Sequence, residues 1–80
     1  MSVRAYILIE SRPGSNKFVL DQVRSLPGIK LADRVTGPYD VIAVLESESL
    51  AILSQITVSK IHTVEGVVRT LTCVATTPPV

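Results

Sequence analysis

The sequence is poor in the residues that most often carry chemistry. Cys73 is its only cysteine and His62 its only histidine. An internal disulfide is therefore excluded, and a Cys/His zinc site within one chain lacks ligands. There is no tryptophan, and the aromatics are Tyr6, Phe18 and Tyr39 alone. Rings so few and so separated do not make the stacking platform that holds single-stranded nucleic acid. Neither sign of charge dominates, the formal net charge being +1. Arg4, Arg12, Lys17, Arg24, Lys30, Arg34, Lys60 and Arg69 are scattered among acidic residues, so no basic stripe faces a run of phosphates and direct nucleic-acid binding is not expected. No apolar run approaches the roughly 20 residues that cross a bilayer. Met1-Ser2-Val3-Arg4 leads into no secretion-signal pattern either. A soluble, cytoplasmic chain without a membrane partner is the expectation.

What the sequence does have is apolar surface. Hydrophobic residues make up 46% of the 80 and charged residues only 19%. A domain this short buries only about 60% of its unfolded surface, and small folds are usually supported by disulfides, a metal or self-association. The first two have no residues to work with here. Self-association remains.

Turn residues cut the chain into short pieces: Pro13-Gly14, Pro27-Gly28, Gly37-Pro38 and Gly66, with Pro78-Pro79 at the close. Val3–Glu10 is rich in β-branched residues and predicts a first strand. Ser15 or Asn16 caps a predicted helix to about Leu26, with Phe18, Val19, Val23 and Leu26 at helical spacing. Ile29–Thr36 alternates as a strand with one wetter face, towards a sheet edge. Tyr39–Glu46 predicts a more central strand. Ser47-Glu48-Ser49 offers the cap of a second helix whose apolar face is Leu50, Leu53 and Ile56, with Ile52 beside them. Thr57, Val58 and Ser59 are poorer helix formers, so that helix should fray there. Val67–Thr76 is the last strand. The order β-α-β-β-α-β is that of the α+β, ferredoxin-like fold: a four-stranded antiparallel sheet with two helices on one face. Residues 1–80 read as a single domain with Pro78–Val80 as its tail.

In such a fold the face away from the helices meets water, and its strands should alternate apolar with polar. These strands do not. Tyr6 and Leu8, Ile42 and Val44, and Val68 and Val74 are apolar where the first, third and last strands would expose a polar residue. A monomer would then carry a larger apolar patch than soluble proteins usually show. Sheet-to-sheet pairing with a second copy removes it, which makes a homodimer the minimum expected assembly.

The run Val35-Thr36-Gly37-Pro38-Tyr39-Asp40 before an alternating apolar strand, followed later by Gly66-Val67-Val68-Arg69-Thr70-Leu71-Thr72, resembles the effector-binding (RAM) domain of the Lrp/AsnC transcription regulators. Leu26-Pro27-Gly28-Ile29 looks like the family's helix exit. The resemblance spans Val3 to Thr77 and starts at the sensing domain, so the chain looks like a stand-alone RAM protein without the family's helix-turn-helix domain. It implies a dimer built through the sheets and assembled further, to an octamer or decamer. It also implies a small amino-acid effector at contacts between dimers, no cofactor, and full-length family regulators as partners. Gly37, Pro38, Tyr39 and Asp40 are by this resemblance the ligand loop, with Thr70 and Thr72 facing the pocket. The chemistry suits an amino acid, because Asp40 can pair with an ammonium, a turn's free N–H groups can hold a carboxylate and threonine hydroxyls can donate or accept.

Plainer readings stand beside these. Gly37–Asp40 is also ordinary turn composition, and Thr70 and Thr72 are ordinary strand residues. His62, a lone loop histidine, reads as solvated surface. Cys73, in phase with Leu71 and Ala75, reads as a buried small hydrophobe. Arg69 sits oddly on that phase unless it pairs with Glu65 or Glu10. The competing function is a small dimeric α+β barrel enzyme of the monooxygenase kind, with His62 as its one acid or base. An ACT-type domain shares the topology. A copper chaperone lacks its Cys-x-x-Cys here, and an RNA-recognition module its strand aromatics.

Overall fold

The strongest periodicities of the sequence become the layers of the fold. The computed structural model describes residues 2–77; the Pro78–Val80 tail lies outside them. Strand β1 spans Val3–Ser11, helix α1 Asn16–Arg24, β2 Ile29–Arg34, β3 Val41–Ser47, helix α2 Leu50–Ile56 and β4 Val67–Val74. The strands form one antiparallel sheet in the order β2-β3-β1-β4. The wetter strand β2 is at an edge, and β3 is central, as their patterns require.

Register explains the core. Ala5, Ile7 and Ile9 lie opposite Leu45, Ala43 and Val41, and all of these are buried. Val19, Leu20 and Val23 of α1 close over them with Leu53 and Ile61. Ile7 is central and wholly buried, so Ile7→Ala should lower the unfolding free energy by about 3 kcal/mol, as such truncations do when the cavity cannot collapse. Urea denaturation at constant m-value is the check.

Helix α2 does not fray where its helix formers run out. It widens into a π-helical turn over Thr57–Ile61. Thr57 Oγ1 donates to the Leu53 carbonyl at 3.0 Å, and the His62 N–H reaches the Thr57 carbonyl at 3.3 Å. Ile61, the last residue of that wider turn, is buried completely and joins the core cluster with Leu53. The helix faces are narrower than their sequence suggests. Phe18 is exposed on α1, as are Leu50 and Ile52 on α2; the side chain of Ile56 lies outside the described part. Several bounds also move. Helix α1 ends at Arg24, before Leu26, and β2 stops at Arg34, before Thr36. Strand β3 begins at Val41 and not at Tyr39, while β4 ends at Val74, before Thr76.

The opposite face of the sheet is apolar. Leu8 lies between Ile42 and Leu71, and Tyr6 between Val44 and Cys73. Leu31 of β2 lies opposite Val44. Ile29 and Leu31 do not share a face as strict alternation predicts, because the register slips between them: Ile29 meets Leu45 on the core side. Cys73 corrects the reading of it as buried. It is exposed, because it belongs to the face that the helices do not cover. No residue of strand β4 is fully buried, and only Val67 and Thr70 are half-buried.

Candidate functional site

The turn joining β2 to β3 is tied down at Asp40. The Asp40 N–H donates to the Ile9 carbonyl at 2.9 Å, and its own carbonyl accepts from the Val35 N–H at 2.9 Å. Its carboxylate turns inward: Oδ2 accepts the Ser11 backbone N–H at 2.8 Å and lies 3.3 Å from Ser11 Oγ. Ser11 Oγ is in turn 2.6 Å from Asn16 Oδ1, at the start of α1. Asp40 thus joins the end of β1 to the beginning of β3 and, through Ser11, to α1.

Beside it, the Arg69 guanidinium lies 5.9 Å from the centre of the Tyr39 ring and 3.0 Å from Glu10 Oε1. Of the two carboxylates proposed for Arg69 by its sequence phase, Glu10 is the partner, directly across the β1–β4 ladder. Gly37 does not adopt a left-handed backbone, and a Cβ built there meets nothing within 4 Å. The chain's own fold does not require glycine there. The space above the turn is open.

Thr70 is in the same row as Val41 and Ile9 across the sheet, about two strand spacings from the turn, or roughly 10 Å. Its hydroxyl is 2.6 Å from His62 Nε2. His62 is solvent-exposed as its sequence suggested, but it is engaged. With Val67, Val68 and Arg69 these two line a cleft of about 350 Å³. Thr72 lies one row deeper, opposite Ile7, in a separate cleft of about 340 Å³ with Leu50, Leu53, Ser54, Thr57 and Val74.

The candidate residues therefore divide. Gly37, Pro38, Tyr39 and Asp40 form one rim, with Arg69 reaching Tyr39 from the uncovered side of the sheet. Thr70 and Thr72 share rows with Ile9 and Ile7 and so point to the helix side. Ser11 and Glu10 contact these residues and Asn16 contacts Ser11, and none of the three was singled out as a site residue from sequence. His62 was considered only as the acid or base of an enzyme. Asn16 looked like a helix cap and Ser11 fell just past the predicted first strand; only a contact 29 positions apart in the chain ties Ser11 to Asp40. Among the described residues no group of three His, Cys, Asp or Glu side chains could hold a metal ion, and no helix is long and apolar enough to cross a membrane.

Known proteins give this arrangement a context. A family model described as the Lrp/AsnC ligand binding domain matches residues 4–80. Among solved structures, TTHA0845 from Thermus thermophilus is 28% identical with a TM-score of 0.91, the match covering 96% of each chain. FFRP-DM1 is 32% identical with a TM-score of 0.86, covering 91% of this chain and 97% of that one. The transcriptional regulator NMB0573 from Neisseria meningitidis, in its L-Met complex, superposes with a TM-score of 0.83 at 16% identity, over 94% of this chain and 50% of that one. At that identity the likeness is one of fold. A search of curated proteins gave no match.

Proposed function

The chain belongs to the family of Lrp/AsnC ligand-binding domains, and from that premise we propose that it is an amino-acid-sensing regulatory module, completed by self-association. The observation that carries this reading is the division of the site. The carboxylate suited to an ammonium is on one rim, while the threonine hydroxyls are on the helix side of the sheet. A second chain docked at that rim brings the missing walls. The uncovered face of Tyr6, Leu8, Ile42, Val44 and Leu71 makes the dimer by sheet-to-sheet packing. The turn is then left at the dimer's edge to meet another dimer, in an octamer or decamer. The L-Met bound by the Neisseria regulator supports a small amino acid as the ligand class. The signal passes by mixed assembly with full-length family regulators, not by catalysis.

In this site Asp40 Oδ1 pairs with the ligand ammonium, Gly37 leaves room for the ligand backbone, and Thr70 and Thr72 supply hydroxyls from the neighbouring wall. Native mass spectrometry with and without an amino-acid mixture tests the whole reading. It should show an even-numbered oligomer that gains amino-acid mass. A monomer with no adduct contradicts it. A sharper result is expected from Asp40→Asn, which keeps an acceptor for the Ser11 N–H and removes the charge. Affinity for the amino acid should fall roughly ten- to hundredfold, the value of a charge-assisted hydrogen bond. Calorimetric titration measures it, and the melting temperature should barely move.

A further inference from the structure

Ser11 stands out because it is a polar side chain in an apolar layer. It is only 7% exposed, and a buried hydroxyl is costly unless its hydrogen bonds are made. It sits where the β1–β4 register slips between Glu10 and Ser11, so the strand bends at the point where it meets the turn. We infer that Ser11 is a positioning residue of the ligand site: it fixes the Asp40 carboxylate from behind, with Asn16 holding Ser11 in place. The inference rests on the reading of Asp40 as the ammonium partner.

The geometry explains how. A carboxylate held by one donor can still rotate about its last bond. Here the backbone N–H and the hydroxyl of the same residue both approach Oδ2, at 2.8 and 3.3 Å. The N–H is placed by the sheet, and the hydroxyl by its contact with Asn16. Oδ2 is occupied, and Oδ1 is the oxygen left to meet a ligand. Ser11 has one hydroxyl proton and two acceptors, Asp40 Oδ2 and Asn16 Oδ1, the latter at 2.6 Å. An amide can present either oxygen or N–H₂. With the Asn16 amide turned so that Nδ2 donates into Ser11 Oγ, the hydroxyl proton goes to Asp40 Oδ2. Asn16 thus decides how much of the Ser11 proton the carboxylate receives, and α1 is coupled to the ligand through one side chain.

The test uses the full chain with Ser11→Ala, Ser11→Thr, Asp40→Asn and the Ser11→Ala/Asp40→Asn double variant. Each of the common amino acids is titrated calorimetrically, and the tightest is carried through the set. Ser11→Ala keeps the backbone N–H and loses the hydroxyl, so affinity should fall roughly five- to tenfold, as for one net hydrogen bond. Ser11→Thr should restore most of it. The double variant should bind no more weakly than Asp40→Asn alone, since Ser11 acts only through that carboxylate. Additive losses, or an unchanged Ser11→Ala, overturn the inference. In parallel, ¹⁵N relaxation should show the amides of Gly37, Tyr39 and Asp40 more mobile in Ser11→Ala than in the parent. If the parent binds no amino acid, the proposed function fails, and the relaxation data decide this inference alone. An equally ordered turn in Ser11→Ala then refutes it.

Discussion

Gly66→Ala should be strongly damaging for so small a substitution. Gly66 precedes β4 with φ +98°, a left-handed backbone that costs an L-residue strain. Its surroundings are also full. A Cβ there lies 2.9 Å from Ser15 Cβ and 3.1 Å from Val19 Cγ2, and Val19 is wholly buried in the core. Neither neighbour is the loose end of a long side chain, so α1 must shift away from the sheet. The Gly66 carbonyl accepts the Arg12 N–H at 2.8 Å, and that shift strains this link too. Strain and overpacking together should cost about 2–5 kcal/mol, which for a small domain is roughly 10 °C or more in melting temperature. Gly14→Ala separates the causes. Gly14 has φ +84° but nothing within 4 Å of its Cβ, so only the backbone term applies and the loss should be far smaller. Thermal and urea denaturation of the two variants side by side would decide it; equal losses would show that crowding at Gly66 is absent.

The second large effect concerns assembly. Leu8 is at the centre of the uncovered sheet face, between Ile42 and Leu71. Leu8→Lys places an ammonium there. In a free chain the lysine points to water and little is lost. In a sheet-to-sheet dimer two such charges, one from each copy, are taken out of water with no partner. Association should weaken by at least about a hundredfold, since each unpaired buried polar group costs on the order of several kcal/mol. Sedimentation at micromolar concentration should therefore find the parent as an oligomer and Leu8→Lys as a folded monomer by circular dichroism. A parent that sediments as a monomer contradicts sheet pairing. A Leu8→Lys oligomer of unchanged size moves the interface elsewhere.

Much of this fold was legible because its signals are local. Strand composition, glycine and proline punctuation and the Ser49 cap need only neighbouring residues, and Ser49 Oγ does accept the Ile52 N–H at 3.2 Å. The apolar second face was legible on β1 and β3 because alternation should have shown there and did not; on β4 the phase was inverted, Val74 lying in the Ala5 row and Leu71 and Cys73 facing out. What escaped depends on pairing. The slip between Ile29 and Leu31 is set by β3, and no period within β2 reveals it. Cys73 was misread because phase says which residues share a face, not which face the helices cover. The π-helical turn reflects the burial of Ile61, a tertiary demand that helix propensity does not contain. The site divides in the same way. Gly37–Asp40 and Thr70 were recognisable as motifs, whereas Ser11 acquires meaning only from its contact across the sheet with Asp40, and His62 from the turn that brings it to Thr70.

The strand order β2-β3-β1-β4 has a consequence for synthesis. The first strand to leave the ribosome lies between β3 and β4, and β4 is the last of the four to be made. Until β4 is released, β1 keeps one edge open along its length, with Ile7 and Ile9 on one side and Leu8 on the other. An unpaired apolar edge is a template for wrong pairing. Co-translational folding can therefore progress no further than a three-stranded intermediate. The last of these strands, eight residues long, closes that edge and brings Thr70 and Thr72 into register, so the sheet and the set of candidate binding residues are completed in the same step.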